Sequence, residues 1–545
     1  MKANTFPGAS SLADPSASER LCPARPHQPR NSRVTRSSGP SRTRWMWGFA
    51  VTLIATDAKR YHLLPFRFMR MDTGRDRDIL LTSDTGEYMH VNDAQLRALS
   101  YFDVQASTPF YKNLLARHFI YEPSRHDPFP EMAAQYRSRK DFLFQGPALH
   151  LFVVTLRCNH TCQYCQVSRA PLGGSGHDLS EADALAAVDR LFESNAPALT
   201  VEFQGGEPLL AFERVRQIVE WIAERNVVEQ RDIQFVITTT LHHLTEEILD
   251  FAEQNRIQFS TSLDGPAPLH NANRPTPSRD SYERTVKGIQ WVRERLGHDA
   301  VSALTTLTSR SLEQPEAIID EYVRQGFSSI SLRPLSPYGF ATKSVLRLDY
   351  PIERYLAFYK KALGYLLHIN QQGVYLSESY TSLLLKNILT PFSSGYVDLR
   401  SPAGAGTAAL VYNYDGYVYP SDEARMLLEM GEDGLRLGTV QQPLSELLAS
   451  PVMNALLASG VAEALPGCSD CALVPYCGAD PVEHYARQAD PIGHRVFSSF
   501  CKKNMGLLKH LFGLLCDGDD NVQRVLLSWL NRRSYNDVRF PGYRG

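Results

Sequence analysis

Short apolar runs alternate with amphipathic stretches along the chain from residue 149 onward. The apolar runs predict six strands, at about 150–156, 198–204, 233–239, 257–263, 300–307 and 329–335. Apolar residues at helical spacing predict helices between them, at about 181–194, 212–225, 245–255, 282–296 and 313–325. Near-continuous apolar strands separated by helices indicate parallel βα units. Six such units predict an α/β fold, a partial (β/α)6 TIM-like barrel, with candidate chemistry at the carboxyl ends of its strands.

A smaller α+β unit is predicted before the barrel, at residues 59–145. Residues 79–91 predict two short strands around a turn at Gly86. Asn92 is then the expected N-cap of a helix, and a second helix is predicted from about Pro109. This arrangement is similar to the winged-helix elements that capture a leader peptide as an extra strand. The unit is therefore either a peptide-recognition domain or a structural cap on the barrel.

Composition narrows the class of protein. The chain has 545 residues, of which 43% are hydrophobic and 21% charged, and its net charge is −2. These values are typical of a soluble globular protein with several domains, and no basic field points to nucleic acid. The most suspicious apolar run, at residues 45–55, is too short to span a membrane. Residues 1–58 are rich in Ser, Pro and Arg, which predicts a disordered leader that is either dispensable or a targeting segment.

The cysteines carry the first chemical signal. Nine cysteines are too few for a disulfide scaffold, and their clustering suits metal or cluster binding in a reducing cytoplasm. Cys158, Cys162 and Cys165 follow the first barrel strand directly, at the spacing CX3CX2C. Three thiolates on one loop can hold three irons of a cluster and leave the fourth iron open for another ligand. The alternative is a zinc loop, although zinc sites usually have two CX2C pairs.

The CX3CX2C loop, with Tyr164 before its last cysteine, resembles the signature of the radical S-adenosylmethionine (SAM) superfamily. The resemblance implies a [4Fe–4S] cluster on this loop and S-adenosyl-L-methionine as a second cofactor. In the family, the segment after the second strand holds the methionine part of SAM, and residues after the third and fourth strands reach its ribose and carboxylate. The corresponding candidates here are Gly205, Gly206, Glu207, Pro208, Thr239, Ser262, Asp264 and Arg274, with His270 and Arg333 as further polar residues near the barrel mouth.

A second cysteine set lies further along the chain, at Cys468, Cys471, Cys477 and Cys501. It resembles one ligand set of the SPASM-like auxiliary-cluster domains found behind peptide-modifying radical enzymes. None of the positions expected for the other ligand set is a cysteine: Ala403, Ser421, and Asp480 or Pro481. The resemblance therefore implies one auxiliary [4Fe–4S] cluster rather than two. A zinc knuckle on the C-terminal cysteines and an oxygen ligand at Asp480 stay open as alternatives.

These patterns divide the chain after the small N-terminal unit into three further parts. The predicted domains are a radical SAM partial barrel at 146–390, a SPASM-like iron–sulfur domain at 391–510, and a helical tail at 511–545.

Several segments between about residues 60 and 510 resemble the radical maturases of the His-Xaa-Ser peptide system, among them the Val-Ser-Arg that follows Cys165. The resemblance implies an enzyme that cleaves SAM reductively and uses the 5′-deoxyadenosyl radical to modify a ribosomally made peptide. The implied partners are a precursor peptide, a flavodoxin- or ferredoxin-type electron donor and a second maturase, with no nucleic acid and no membrane. The alternatives are a sulfatase-activating or thioether-forming maturase, or a non-catalytic peptide-binding scaffold stabilised by metal.

Overall fold

The computed structural model describes residues 61–72, 74, 76–343 and 348–538. They belong to a compact unit that begins at Lys59, so the predicted leader at 1–58 lies outside the described residues. Among the described residues, no helix is long and apolar enough to cross a membrane. The domain boundaries proposed inside this unit stay predictions.

The N-terminal part contains two small antiparallel sheets. Its strands are β1 (His62–Leu63), β2 (Phe66–Arg70), β3 (Ile79–Ser83), β4 (Tyr88–Val91) and β5 (Ile120–Tyr121). β2, β3 and β4 form one sheet in that order, and β1 pairs with β5. The helices are Asp93–Ser100, Pro109–Ala116 and Phe129–Arg139. The first helix begins at a capping box, in which the Asn92 side chain accepts from the Gln95 amide and the Gln95 side chain accepts from the Asn92 amide.

The middle of the chain forms the predicted parallel sheet. The sheet contains β6 (Leu149–Thr155), β7 (Ala198–Gly205), β8 (Asp232–Thr238), β9 (Gln258–Ser262), β10 (Val301–Thr306) and β12 (Leu332–Arg333). β11 (Ser329–Ile330) and β13 (Ser377–Glu378) form a separate parallel pair. The parallel order β6-β7-β8-β9-β10-β12 follows the chain. The helices are Glu181–Phe192, Phe212–Glu229, Glu246–Gln254, Ala267–Asn273, Ser281–Leu296, Pro315–Arg324, Phe340–Lys343, Ile352–Gln371 and Ser379–Leu389.

The sixth strand is shorter than its apolar run predicts. The run at 329–335 divides into β11, which pairs with β13, and β12, which pairs with β10. β12 ends at Arg333 because the next residue is Pro334, which has no amide hydrogen for the ladder. Arg333 consequently stands at the carboxyl end of the last barrel strand, as predicted.

The C-terminal part extends the same sheet. Its strands are β14 (Ala409–Tyr412), β15 (Tyr417–Tyr419) and β16 (Gly438–Thr439). β14 lies parallel to β6, with Ala409 opposite Leu149 and Tyr412 opposite Phe152. The sheet therefore has nine strands in the order β12-β10-β9-β8-β7-β6-β14-β15-β16. The helices are Asp422–Leu428, Leu444–Leu448, Pro451–Gly460, Pro481–Gln488, Ser499–Cys516 and Asp520–Asn531.

A buried arginine joins the N-terminal hairpin to the C-terminal part. The Arg139 guanidinium donates to the carbonyl oxygens of Thr85, Asn387 (3.1 Å) and Pro475 (3.3 Å). Tyr476 adds a hydrogen bond from its hydroxyl to the Gly86 carbonyl, at 3.0 Å. One side chain thus satisfies buried carbonyls that would otherwise lack partners. It fixes the β3–β4 hairpin beside the loop that contains Cys471 and Cys477.

Candidate functional site

The CX3CX2C loop begins three residues after β6 ends and contains a buried first cysteine. Cys158 is buried, whereas Cys162 and Cys165 are partly exposed. The His160 amide donates to the Cys158 Sγ at 3.4 Å, and the Cys165 amide donates to the Cys162 carbonyl at 3.2 Å. Hydrogen bonds to sulfur are one of the means by which proteins tune iron–sulfur clusters. The donor set and the turned loop therefore fit a cluster held by three thiolates.

Burial also controls the protonation of these thiols. It raises the pKa of Cys158 to about 12 and the pKa of Cys162 to about 11. Without a metal both groups are therefore neutral thiols near pH 7. Because thiolates are the metal-binding form, cluster assembly must release these protons.

The glycine loop after β7 is hydrogen-bonded to the segment that leads into the cysteine loop. The Gly206 amide donates to the Thr155 carbonyl, and the Glu207 amide donates to the Arg157 carbonyl, both at 2.8 Å. A Cβ atom on Gly205 would lie 1.9 Å from the Thr155 carbonyl oxygen, and one on Gly206 would lie 2.3 Å from that of Leu156. Both glycines are thus required by a close approach of two backbone segments.

Glu207 is fully buried and bonded within the protein. Its carboxylate accepts from the Leu209 amide, the Thr239 hydroxyl, and the amide and hydroxyl of Thr240. Both carboxylate oxygens are occupied by these bonds, so Glu207 holds the glycine loop against the end of β8. Pro208 starts the short helical turn Pro208–Ala211 that follows. Direct contact of Glu207 or Thr239 with SAM stays a prediction.

The residues after β9 contact the cysteine loop through a tyrosine. The Tyr164 hydroxyl donates to the Asp264 carboxylate at 3.2 Å, and it accepts from the Arg274 guanidinium at 2.8 Å. Burial raises the pKa of Asp264, and the nearby positive charge of Arg274 opposes that shift. Ser262 is the last residue of β9. The structure thus brings Asp264 and Arg274 to the cysteine loop, as their positions after the fourth strand predict.

A network that the sequence did not indicate lies behind the loop. The Ser281 hydroxyl is 3.0 Å from His160 Nε2 and 3.2 Å from His270 Nε2. Burial lowers the pKa of both histidines, which are therefore neutral near pH 7. His270 is buried, so a solvated loop is not its setting. Ser281 is the first residue of a helix far along the chain from His160, and no local motif marks it.

The four C-terminal cysteines lie together. Cys468, Cys471, Cys477 and Cys501 line one small cavity with apolar neighbours such as Phe500 and Leu508. Burial raises the pKa of Cys501 to about 11. In the described part of the chain, no three His, Cys, Asp or Glu side chains are placed to hold a single metal ion. Four thiols that line one cavity supply the number of ligands that a four-iron cluster takes, and a zinc site on the same cysteines stays the alternative.

The positions expected for a second auxiliary ligand set have other local roles. Ser421 caps the helix Asp422–Leu428 through a 3.2 Å bond from the Ala424 amide. Asp480 caps the helix Pro481–Gln488 through a 2.9 Å bond from the Glu483 amide. Both capping residues line a large cavity that Arg333 also lines.

This large cavity lies where the barrel strands end and the C-terminal part begins. Its volume is about 910 Å³. Glu202 and Gln204 of β7 line it from the barrel, and Glu423 lines it from the C-terminal part. The Arg333 guanidinium in its wall is 3.7 Å from the Glu423 carboxylate. Concave sites of this kind at the carboxyl ends of barrel strands are where ligands bind.

Comparisons with known proteins agree with this geometry. Residues 152–322 match the model of the Radical SAM superfamily. An uncharacterized protein of Methanothermobacter thermautotrophicus is 29% identical over 197 residues, which are 35% of this chain and 69% of that protein. The cysteine-type anaerobic sulfatase-maturating enzyme of Clostridium perfringens is 24% identical over 303 residues, which are 52% of this chain and 75% of that enzyme.

A solved structure extends the similarity beyond the barrel. Native anSMEcpe with bound AdoMet and Kp18Cys peptide has a TM-score of 0.56 and 20% identity, covering 68% of this chain and 99% of that one. At this identity the match shows a shared fold. The cysteine loop, the parallel sheet and the superfamily match together place residues 152–322 of this chain in the radical SAM superfamily.

Proposed function

We propose that this protein is a radical SAM maturase that modifies a ribosomally made peptide, with the His-Xaa-Ser system as the nearest functional setting. The observation that carries the proposal is the joining of three segments. The cysteine loop is hydrogen-bonded through Thr155 and Arg157 to the glycine loop, and through Tyr164 to Asp264. A three-thiol loop and a backbone cradle held in one rigid arrangement are what a SAM-binding cluster requires.

Different residues would hold the cluster and SAM. Cys158, Cys162 and Cys165 would hold the [4Fe–4S] cluster, and the glycine loop, Ser262 and Arg274 would hold SAM. When bound, the cluster would supply one electron for the reductive cleavage of SAM to methionine and a 5′-deoxyadenosyl radical, the species that would take a hydrogen atom from the peptide. The protein itself binds, orients and excludes water, which is the usual division between a cofactor and its enzyme.

The second cysteine set supports electron transfer rather than substrate binding. One auxiliary cluster would have all four of its irons ligated by thiolates, from Cys468, Cys471, Cys477 and Cys501. No iron would then be open to substrate. A flavodoxin- or ferredoxin-type donor would supply the electrons. The peptide-bound state of anSMEcpe, and the name of the Clostridium perfringens enzyme, support a peptide or protein substrate for a chain of this fold.

The proposal is tested by replacing one cysteine of the first set. Anaerobically reconstituted Cys162→Ala is expected to form no 5′-deoxyadenosine from SAM and dithionite, because one of the three thiolate ligands of the cluster is lost. Cys516→Ala is the matched control, since Cys516 lies on the helix Ser499–Cys516 outside both cysteine sets, and it should keep the wild-type rate. Formation of 5′-deoxyadenosine by Cys162→Ala at the wild-type rate would refute the assignment of the loop.

Metal analysis separates the proposal from a scaffold role. Two four-iron clusters correspond to about eight irons per chain, whereas a metal-stabilised scaffold would contain zinc. Product mass on a co-expressed precursor peptide then distinguishes the His-Xaa-Ser setting from sulfatase-activating or thioether-forming chemistry.

A further inference from the structure

The large cavity at the barrel mouth has a composition that points to its ligand. Its volume of about 910 Å³ is near the upper end of the roughly 300–1,000 Å³ typical of ligand sites. Eight of its lining residues are acidic: Glu202, Asp349, Glu353, Asp398, Asp422, Glu423, Asp480 and Glu483. Four are basic: Arg333, Arg487, Lys502 and Lys503. The wall thus carries an excess of carboxylates.

The four basic residues are too few to neutralise all eight carboxylates of the wall. Glu483 pairs with Arg487 at 3.1 Å, and Glu423 is 3.7 Å from Arg333. Asp422 pairs with Arg425 at 2.6 Å, and Lys502 is 4.0 Å from Glu353. The positive charges of Lys503 and Arg333 lower the pKa of Asp398 without offsetting the rise that burial causes. Burial, together with repulsion by Asp398, raises the pKa of Asp480 well above its usual range. A cation placed between these carboxylates would relieve that repulsion.

A buried hydroxyl in the same wall also lacks a partner. Tyr338 lines the cavity and is only 2% exposed, and its hydroxyl has no hydrogen-bond partner among the described residues. Buried polar groups are normally satisfied, so an unpaired hydroxyl in a cavity wall can form a hydrogen bond with a ligand that enters the cavity. Burial raises the pKa of Tyr338, and the negative charges of Asp480 and Glu423 raise it further, so both carboxylates lie near this hydroxyl.

The segment that contains Tyr338 packs against the cysteine loop. The Ala341 amide donates to the Cys165 carbonyl at 3.3 Å. A Cβ atom on Gly339 would lie 2.1 Å from the Gln166 carbonyl oxygen, so this approach is close. The carboxylate-rich wall is therefore physically connected to the loop that would hold the SAM-binding cluster.

We propose that this cavity binds a cationic side chain of the peptide substrate, with its charge against Asp398, Glu423 and Asp480 and an N–H donating to the Tyr338 hydroxyl. The inference rests on the proposed function in taking a peptide as the substrate. Tyr396, which also lines the cavity, adds an aromatic ring that can contact a cation, whereas the Tyr380 ring already carries the Lys503 ammonium 5.0 Å from its centroid. The substrate class is thus narrowed to peptides with a basic residue beside the modified position.

The test compares short peptides that differ only in charge. Acetylated, amidated Ala-Ala-Lys-Ala-Ala and its norleucine and glutamate counterparts are titrated, up to millimolar concentration, into the reconstituted holoenzyme with SAM. The lysine peptide should bind about ten-fold or more tightly than the norleucine peptide, which is the expected gain from a charge-assisted hydrogen bond. Equal binding of the two, failure of both to bind, or tighter binding of the glutamate peptide overturns the proposal.

Variants assign the preference to this cavity. Asp398→Asn with Glu423→Gln should reduce the preference for lysine to less than about two-fold, because both substitutions keep the shape and remove the charge. Tyr338→Phe should weaken binding of the lysine peptide without lowering the melting temperature, since the hydroxyl has no partner within the described residues. Glu446→Gln is the matched control: Glu446 is exposed and lies outside the cavity, and its variant should keep the full preference.

The two proposals fail separately. Formation of 5′-deoxyadenosine without peptide, measured in the same preparations, tests the radical SAM function alone. Wild-type protein that cleaves SAM but shows no preference for lysine refutes the cavity assignment and leaves the proposed function standing. Loss of preference in Glu446→Gln as large as in the double variant also refutes it, because the effect would then not depend on the cavity.

Discussion

Gly206→Ala tests whether the glycine loop positions the cysteine loop. The added Cβ would lie 2.3 Å from the Leu156 carbonyl oxygen and 2.4 Å from that of Arg157. Real Cβ atoms essentially never approach closer than 3.0 Å. The difference between 3.0 and 2.3 Å means that one backbone segment must move by at least about 0.7 Å. The obstructing atoms belong to the backbone, so no flexible side chain can absorb the change.

The cost has a structural and a catalytic part. Movement would break or stretch the bonds from Gly206 to Thr155 and from Glu207 to Arg157, which contribute about 1 kcal/mol each. A displacement close to 1 Å at a reacting centre costs about 100-fold in rate. We therefore expect a loss of stability of about 2 kcal/mol and a fall of about 100-fold in 5′-deoxyadenosine formation.

The assay is 5′-deoxyadenosine formation with dithionite, alongside iron content and urea unfolding. Gly364→Ala is the control: this glycine is inside the helix Ile352–Gln371, and an added Cβ meets nothing within 4 Å. It should stabilise the protein by about 0.5–1 kcal/mol at an unchanged rate. A Gly206→Ala protein with wild-type rate and iron content would refute the argument that the two loops are held by this contact.

Three further outcomes follow from the structure. Cys501→Ser should lower the iron content to about four per chain while 5′-deoxyadenosine formation continues, because only the auxiliary ligand set is broken. Arg139→Met should destabilise the protein by about 3 kcal/mol in urea unfolding, since it leaves the carbonyls of Thr85, Asn387 and Pro475 unpaired; an unchanged midpoint would contradict this. Burial lowers the pKa of His150 to about 4, below the roughly 6.5 of the unfolded chain. The unfolded chain therefore takes the proton first, and about 3 kcal/mol of stability should be lost between about pH 6.5 and 4. His150→Gln should show that much less acid sensitivity than the wild type.

The parallel sheet could be predicted because its strands are nearly continuous apolar runs. β6, for example, is buried along almost its whole length, and such runs differ clearly from the amphipathic helices between them. The addition of β14 beside β6 could not be predicted in the same way. A four-residue strand shows its own conformation in its sequence but carries no signal for its partner, which is set by long-range packing.

The candidate site likewise combines a local motif that the sequence reveals with long-range contacts that it does not. The CX3CX2C spacing is local, so it identified the loop without knowledge of the fold. The bonds of Glu207 to Thr239 and Thr240, and the contact of Ser281 with His160, join residues far apart in the chain. The position of the Glu207 carboxylate after two glycines predicts a contact with the cofactor, and the four hydrogen bonds that it accepts from Leu209, Thr239 and Thr240 could not be read from the sequence.

The pairing of β14 with β6 has a consequence for any attempt to divide the protein. With β14 in place, both long sides of β6 are hydrogen-bonded. A fragment ending near residue 390 would leave β6 as an edge strand, because residues 149–152 would lose the partners that β14 supplies while the pairing with β7 remained. Such a bare strand is a template for self-association. The isolated barrel is thus expected to aggregate. In the whole protein, β14 of the C-terminal part covers this edge of β6 and prevents such pairing.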